Sequence, residues 1–518
     1  MAFIEEVPTN ASVVACSNED EMSLRKAVRQ YSKFVGYAFA ITTVVLLWGY
    51  DSVIVGSITA IPAFQKDFGE WYEDSWIIPS IWLSLWSAMG PVGQAFGAVT
   101  GGFLQDRIGR RLNLLVGGIL VVISVFIVFF ANKSPQLDAR RGLFLAGKTI
   151  QGFATAVIKI QTLTYISENV PTSLRGSAMA LFPTFTLLGQ LIGAIVIFVV
   201  EDIETDRGYL IAMGTMWILC IAPFVLAFAM PESPPYLIRK KNYPAALKSL
   251  TRLFAPKNDP QDALDRLRAS IEHEEKVAEH VTYMDCFTAA NRRRTLIIII
   301  SNFLPPLFGL PLLSSSSYFL QQVGMDSSSS LLFLIVGIVL GLLANAASMW
   351  TLSHISRRKL TISTLLVAAG LWLAMAVSGF FRTSVTPWVT GALLCLIIIV
   401  CGVGVWPVSY AINCETSALR LRAKSNAIGG LAAYISAIVT NFVLPYFYNP
   451  DALDLGGKTG FLFTGLCLLG AVWMYFCVPE MKGRSVDEID KMFEEGVRAR
   501  GSRKWRFVRE EESRMAER

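Results

Sequence analysis

The chain has 518 residues, of which 53% are hydrophobic and 17% charged, and its mean hydropathy is +0.48. That apolar share exceeds what a soluble domain carries and indicates a membrane protein. The net charge of +6 comes from an asymmetry between loops, so it points to no nucleic-acid partner.

A polar stretch, 1–34, precedes the first apolar run and is expected to be a cytoplasmic tail. A ruler of about 20 residues, set by a hydrocarbon core about 30 Å thick, finds spans 1–6 near 35–59, 79–104, 112–131, 143–166, 178–200 and 209–230. Span 1 begins too far in and runs too long for a cleaved signal peptide. A polar central loop, 231–294, follows, with helical periodicity and dense charge in YPAALKSLTRLF and DALDRLRASIEHEEKVAEH. Spans 7–12 follow near 295–320, 328–352, 360–381, 388–413, 425–447 and 460–478, then a second tail over 479–518. The expected fold class is an all-α membrane protein with twelve transmembrane helices in two six-helix bundles, 35–230 and 295–478.

Arg and Lys crowd the even-numbered connections, as in Arg107/Arg110/Arg111, Arg292/Arg293/Arg294 and Arg357/Arg358/Lys359. The turn after span 1 holds Asp67, Glu70, Glu73 and Asp74 against Lys66 alone. Positive-inside bias therefore places both termini and the central loop in the cytoplasm, with only the 132–141 turn (Lys133, Arg140, Arg141) opposing it. The eight cysteines show no paired spacing, so neither a disulfide framework nor a metal site is indicated. The G-x-x-x-x-G-K-[ST] pattern is matched by GLFLAGKT at 142–149, but inside apolar span 4 and not in a loop between a strand and a helix, so no nucleotide-binding loop is read, no cofactor is called for, and the driving energy would be an ion gradient or the solute's own.

The halves repeat one another. After span 2 stands GGFLQDRIGRR, with Gly102, Asp106, Arg107, Gly109, Arg110 and Arg111; after span 8 stands TLSHISRRK, where Ser353 and Ser356 replace the Asp and second Gly while Arg357 and Arg358 persist. Glu168 precedes Arg175 after span 4 as Glu415 precedes Arg422 after span 10. A glycine-permitted turn whose arginines reach helix carbonyl ends forms a latch across the cytoplasmic face, with the Glu/Arg pairs as further struts.

These motifs, with GYD in span 1, PESPPYL at 231–237 and PEMKGRSVDEID at 479–490, resemble the sugar porter family of the major facilitator superfamily (MFS). IQTLTYISE, SYFLQQVG and NFVLPYFYNPDALDLGGKTGF are most similar to its fungal α-glucoside/proton symporter (maltose permease-like) branch. The resemblance covers nearly the whole chain. It implies the MFS fold, two pseudo-symmetric bundles around a cavity that opens alternately to each side. It also implies a multi-pass monomer in the plasma membrane that moves a sugar or related small organic solute with a proton.

Asp51 sits in LLWGYDSVIVG, roughly 6 Å below the outer edge of the bilayer core, and Lys148, on a span running the other way, lies about 7 Å below the same edge. A charge at that depth needs a partner, so the two are expected to pair, in agreement with the proton-coupling Asp and span 4 Arg that the resemblance implies; Lys for Arg is a departure. Lys159 lies near the same helical face about 16 Å deeper, either reaching inward toward Glu168 or attracting an anionic solute; the former is the preferred reading.

For the cavity the resemblance implies Gln161, Gln190, Tyr410 and Asn441, to which Trp82 and the span 7 hydroxyls Ser314 and Ser315 are added. Several sugar-binding amides of the family are absent: Pro183, Pro305, Pro306 and Pro311 stand in their places. That depletion favours a less hydroxylated solute, so a transporter of a secondary metabolite or other amphipathic compound competes with the sugar symporter. A nutrient sensor is the weaker alternative, because such receptors carry a long cytoplasmic tail.

Overall fold

The structure, a computed structural model, describes residues 24–505 apart from 74, 172–173, 255–258, 279–281, 289–290, 382, 419–420, 485 and 504. Twelve helical stretches coincide with the twelve expected spans. In the first half they are Ser32–Thr42 with Val45–Ile58, then Ser80–Ile108, Arg110–Phe129, Leu137–Asn169, Arg175–Val200 and Arg207–Ala229. In the second half they are Arg292–Leu307 with Leu310–Ser314 and Ser316–Gln322, then Ser327–His354, Arg357–Ser378, Thr386–Val403 with Val405–Thr416, Arg422–Tyr448 and Gly460–Cys477.

Ten of these are long and apolar enough by themselves to cross a bilayer. Span 2 is long but rich in Gly, Ser and Trp, and span 7 is broken. The breaks in span 7 follow from its prolines. Pro305 and Pro306 fall in the last turn of Arg292–Leu307, Gly309 then adopts φ +93°, and Pro311 opens Leu310–Ser314. A proline cannot donate the helical hydrogen bond, and the left-handed φ favours glycine.

The spans pack as two bundles, with spans 1, 4 and 5 meeting in the first and spans 7, 10 and 11 in the second. Spans 2 and 11, and spans 5 and 8, pack across the interface between them. The central loop forms Pro234–Arg239, Tyr243–Phe254 and Pro260–Ala278, in line with the two periodic segments of the sequence. Its Phe254 packs against Tyr31 and Phe34, ring centroids 5.9 and 6.2 Å away, so the loop is fastened to the first bundle. The acidic turn after span 1 contains the helix Pro62–Phe68 and a two-stranded hairpin, Glu70–Tyr72 with Ser75–Ile77.

That hairpin accounts for the one turn that opposed the charge bias. Arg141 is buried, its Nε donating to the Phe68 carbonyl at 2.7 Å and its guanidinium 2.7 Å from Glu70, while Arg140 donates to the Ser134 carbonyl at 2.7 Å. These two cations hold a loop together.

Candidate functional site

The centre of the first bundle is built around span 1. The Tyr50 hydroxyl donates to the Ala212 carbonyl of span 6 at 2.6 Å, which fixes the rotation of the helix and turns Asp51 toward span 4. There Lys148 Nζ donates to Asp51 Oδ1 and also to Gln151 Oε1 at 2.9 Å. Asp51 is 6% exposed and Lys148 2%. The two charges that share a depth in the sequence therefore form a buried ion pair, with Gln151 as a third member that the sequence reading did not single out.

On the side of the molecule that carries the termini, the motif residues of each half assemble into equivalent clusters. In the first half Arg110 is buried and donates Nε and a terminal nitrogen to Glu168 at 3.1 and 2.5 Å, with another bond to the Gln105 carbonyl at 3.1 Å. Arg111 reaches the Ala227 and Phe228 carbonyls at 2.9 and 3.2 Å. In the second half Arg357 binds Glu415 at 2.9 and 3.2 Å, and Arg358 reaches the Ala499 carbonyl at 3.1 Å and the Tyr475 carbonyl.

Two carboxylates complete the clusters. Glu232 accepts from the backbone N–H groups of Arg110 and Arg111 at 2.9 and 3.3 Å; Glu480 accepts from those of Arg357 and Arg358 at 3.2 and 3.4 Å. Glu232 caps the N-terminus of span 3 and Glu480 that of span 9, where unsatisfied donors and the helix dipole favour an anion. Gly109, at φ +92°, faces Glu232 so closely that an added Cβ would lie 2.6 Å from its carboxylate. The PES and PEM tripeptides, recurring after spans 6 and 12, were the signal for these two acids.

Other expected gate residues sit apart. Asp106 is 68% exposed and 3.3 Å from Arg110. Arg107 is exposed over the Phe103 ring at 4.3 Å, Gly102 has no neighbour that a Cβ would meet within 4 Å, and Arg422 is half-buried with its Nε unpartnered. The side chain of Arg175 lies outside the described residues. The arginines were expected to reach across to the other half; instead Arg110 and Arg111, like Arg357 and Arg358, bind within their own half.

The halves are clasped at the opposite, far side. Asn449, just past span 11, donates to the Ile78 carbonyl at 2.8 Å and to Ser80 Oγ at 3.1 Å, and Asp451 accepts from the Ser80 N–H at 2.7 Å. Gln321 donates to the Ala60 carbonyl at 2.8 Å, and Ser328 to Glu201 at 2.8 Å. Among the described residues, the hydrogen bonds between the halves lie on this far side.

Of the expected cavity residues, Tyr410 is 60% exposed. Gln190 donates to Ser52 Oγ at 3.0 Å. Gln161 is buried, with its amide oxygen 3.4 Å from the Thr162 hydroxyl. Asn441 and Ser314 donate back to the Ala437 and Leu310 carbonyls of their own helices at 2.8 and 2.9 Å. Ser315 lies at the break in span 7, against Gly56 of span 1. Trp82 belongs to a far-side aromatic group, 6.4 Å from Trp86 and under the Arg141 guanidinium at 5.9 Å.

The family model described as "Sugar (and other) transporter" matches residues 37–493. The chain belongs to this transporter family. The transporter is 31% identical over 93% of its length to "MFS transporter fmqE" of Aspergillus fumigatus, covering 91% of that protein. It is 27% identical over 94% of its length to "Maltose permease MAL61" of Saccharomyces cerevisiae, covering 80% of it. The xylose transporter XylE of E. coli, in a partially occluded inward-open conformation, shares the fold with a TM-score of 0.73 at 18% identity, over 88% of this transporter and 100% of XylE. Family and fold are those of multi-pass membrane transporters rather than enzymes.

Proposed function

We propose that this chain is a monomeric, proton-coupled secondary transporter that carries a small organic solute across the plasma membrane by alternating access, with both termini cytoplasmic. The observation that carries the reading is the one-sided closure: the far-side clasp joins the halves, while each termini-side cluster closes on its own half. Two rigid bundles joined at one face can rock about the cavity and exchange that clasp for contacts at the other. In this orientation the conformation is inward-open. Asp51 and Lys148 are the coupling pair: protonation of Asp51 frees Lys148, and binding of solute changes the cost of keeping the pair apart.

Relatives named for maltose and α-glucosides support a sugar-like solute. The second reading, a secondary metabolite or other amphipathic compound, is favoured by the prolines at the amide positions: a pyranose needs a partner for each hydroxyl, and these side chains supply none. Uptake of a labelled panel of sugars and aromatic metabolites into proteoliposomes, with and without an imposed proton gradient, tests both. Gradient-driven accumulation of at least one solute is expected; failure of every solute to move, including by counterflow, removes the transporter reading.

A further inference from the structure

Span 4 carries a second lysine that the coupling pair does not use. Lys159 Nζ lies 3.8 Å from the centroid of the Trp48 ring on span 1 and 6.0 Å from that of Phe182 on span 5. It lies between spans 1, 4 and 5 and keeps part of its surface accessible. Its expected partner is taken: Glu168 is held by Arg110, Ser233 and Arg239 at 2.5, 2.6 and 3.6 Å. Asp51 is held by Lys148, roughly 16 Å along the helix from Lys159 at 1.5 Å per residue. Among the described residues no carboxylate forms an ion pair with Lys159.

Trp48 adds a second, independent observation. Its Nε1 is buried and, among the described residues, has no hydrogen-bond acceptor. A charged donor and a neutral donor thus lie side by side without an acceptor. The neighbouring wall is apolar, formed by Phe182 and the exposed Pro183. The face of an indole offsets part of the cost of an enclosed ammonium, but a buried N–H that bonds nothing remains costly until an acceptor arrives. The group that satisfies both donors is an oxyanion, and the ring faces around it suit a flat apolar body.

We propose that Lys159 and Trp48 form an anion subsite in the cavity and that the solute is an organic acid: its carboxylate bonds Lys159 Nζ and Trp48 Nε1, and its planar ring system packs against Trp48 and Phe182. This rests on the transporter reading above and names its substrate class.

The purified full chain in nanodiscs is titrated with 1-naphthoate and with its neutral isostere 1-naphthamide. The acid is expected to bind at least about tenfold tighter, as a charge-assisted hydrogen bond in a low-dielectric site should provide. Lys159→Arg keeps the preference, and Lys159→Gln removes it while the affinity for the amide stays the same. Trp48→Phe keeps the ring face but deletes the indole N–H, and it weakens the acid severalfold more than the amide. Should Lys159→Gln fail to fold, the unaltered protein and Trp48→Phe still decide. Equal affinity of acid and amide, binding of neither, or a preference that survives Lys159→Gln overturns the inference. Counterflow of labelled naphthoate in proteoliposomes separates the two readings: preferred binding without movement leaves the subsite and removes transport, whereas movement of neutral solutes with no preference for the acid leaves transport and removes the subsite.

Discussion

Replacing Asp51 by Asn tests the coupling pair through both stability and transport. In the native protein Lys148 donates to one anion, Asp51, and one neutral acceptor, Gln151, and the ammonium is 2% exposed. Removing one member of a buried ion pair strands the other and costs about 3–5 kcal/mol. The Asn carbonyl can still accept one hydrogen bond, worth about 1 kcal/mol, so a net loss of about 2–4 kcal/mol is expected. Lys148→Met in the Asp51→Asn background removes the stranded charge and recovers most of that loss. The assay is a double-mutant cycle by chemical or thermal unfolding of the purified protein, run beside proteoliposome transport. Solute exchange persists in Asp51→Asn, while accumulation driven by a proton gradient disappears. An Asn variant that still concentrates solute refutes the coupling role, and a cycle with no interaction between the two sites refutes the energetic argument.

Asp106→Ala removes an exposed carboxylate that adds less than about 1 kcal/mol in the conformation described here; its loss therefore acts on the alternate state and shifts the population toward the termini-open form by about 1–3 kcal/mol. Cysteines placed along the cavity should label faster from the termini side, and unchanged rates would show that Asp106 has no part in the latch. Asn449→Ala leaves the Ile78 carbonyl without its donor and the buried Tyr318 hydroxyl without its acceptor at 3.0 Å, at about 1–3 kcal/mol each. The far side should open and admit a membrane-impermeant thiol reagent to a cysteine placed beneath Ser80; protection equal to that of the parent would show that the clasp does not set the equilibrium. Maltose should bind in the millimolar range or not at all, no better than about 4 kcal/mol. Direct binding at micromolar affinity would restore the plain α-glucoside reading.

The sequence by itself determined whatever depends on position along a helix. A bilayer of about 30 Å and a rise of 1.5 Å per residue suffice to count twelve spans and to place Asp51 and Lys148 at one depth, and the repeated loop motifs marked Glu168 and Glu415 as equivalent acids, although with Arg175 and Arg422 as their expected partners. What the sequence could not supply is azimuth, because the face a residue presents depends on how its helix is rotated and packed. Only the tertiary structure left Tyr410 exposed but placed Trp82 in a far-side aromatic group, and turned Ser314 back onto its own helix. It also decided how partners are shared. By sequence Glu168 was expected to strut with Arg175 or to draw in Lys159; it holds Arg110, because the turn at Gly109 brings that guanidinium to 2.5 Å. The same turn carries two backbone N–H groups to Glu232, a contact between residues more than a hundred positions apart that span length and depth could not predict. Lys159 is left beside an indole instead of an acid, which is a result of packing between three helices.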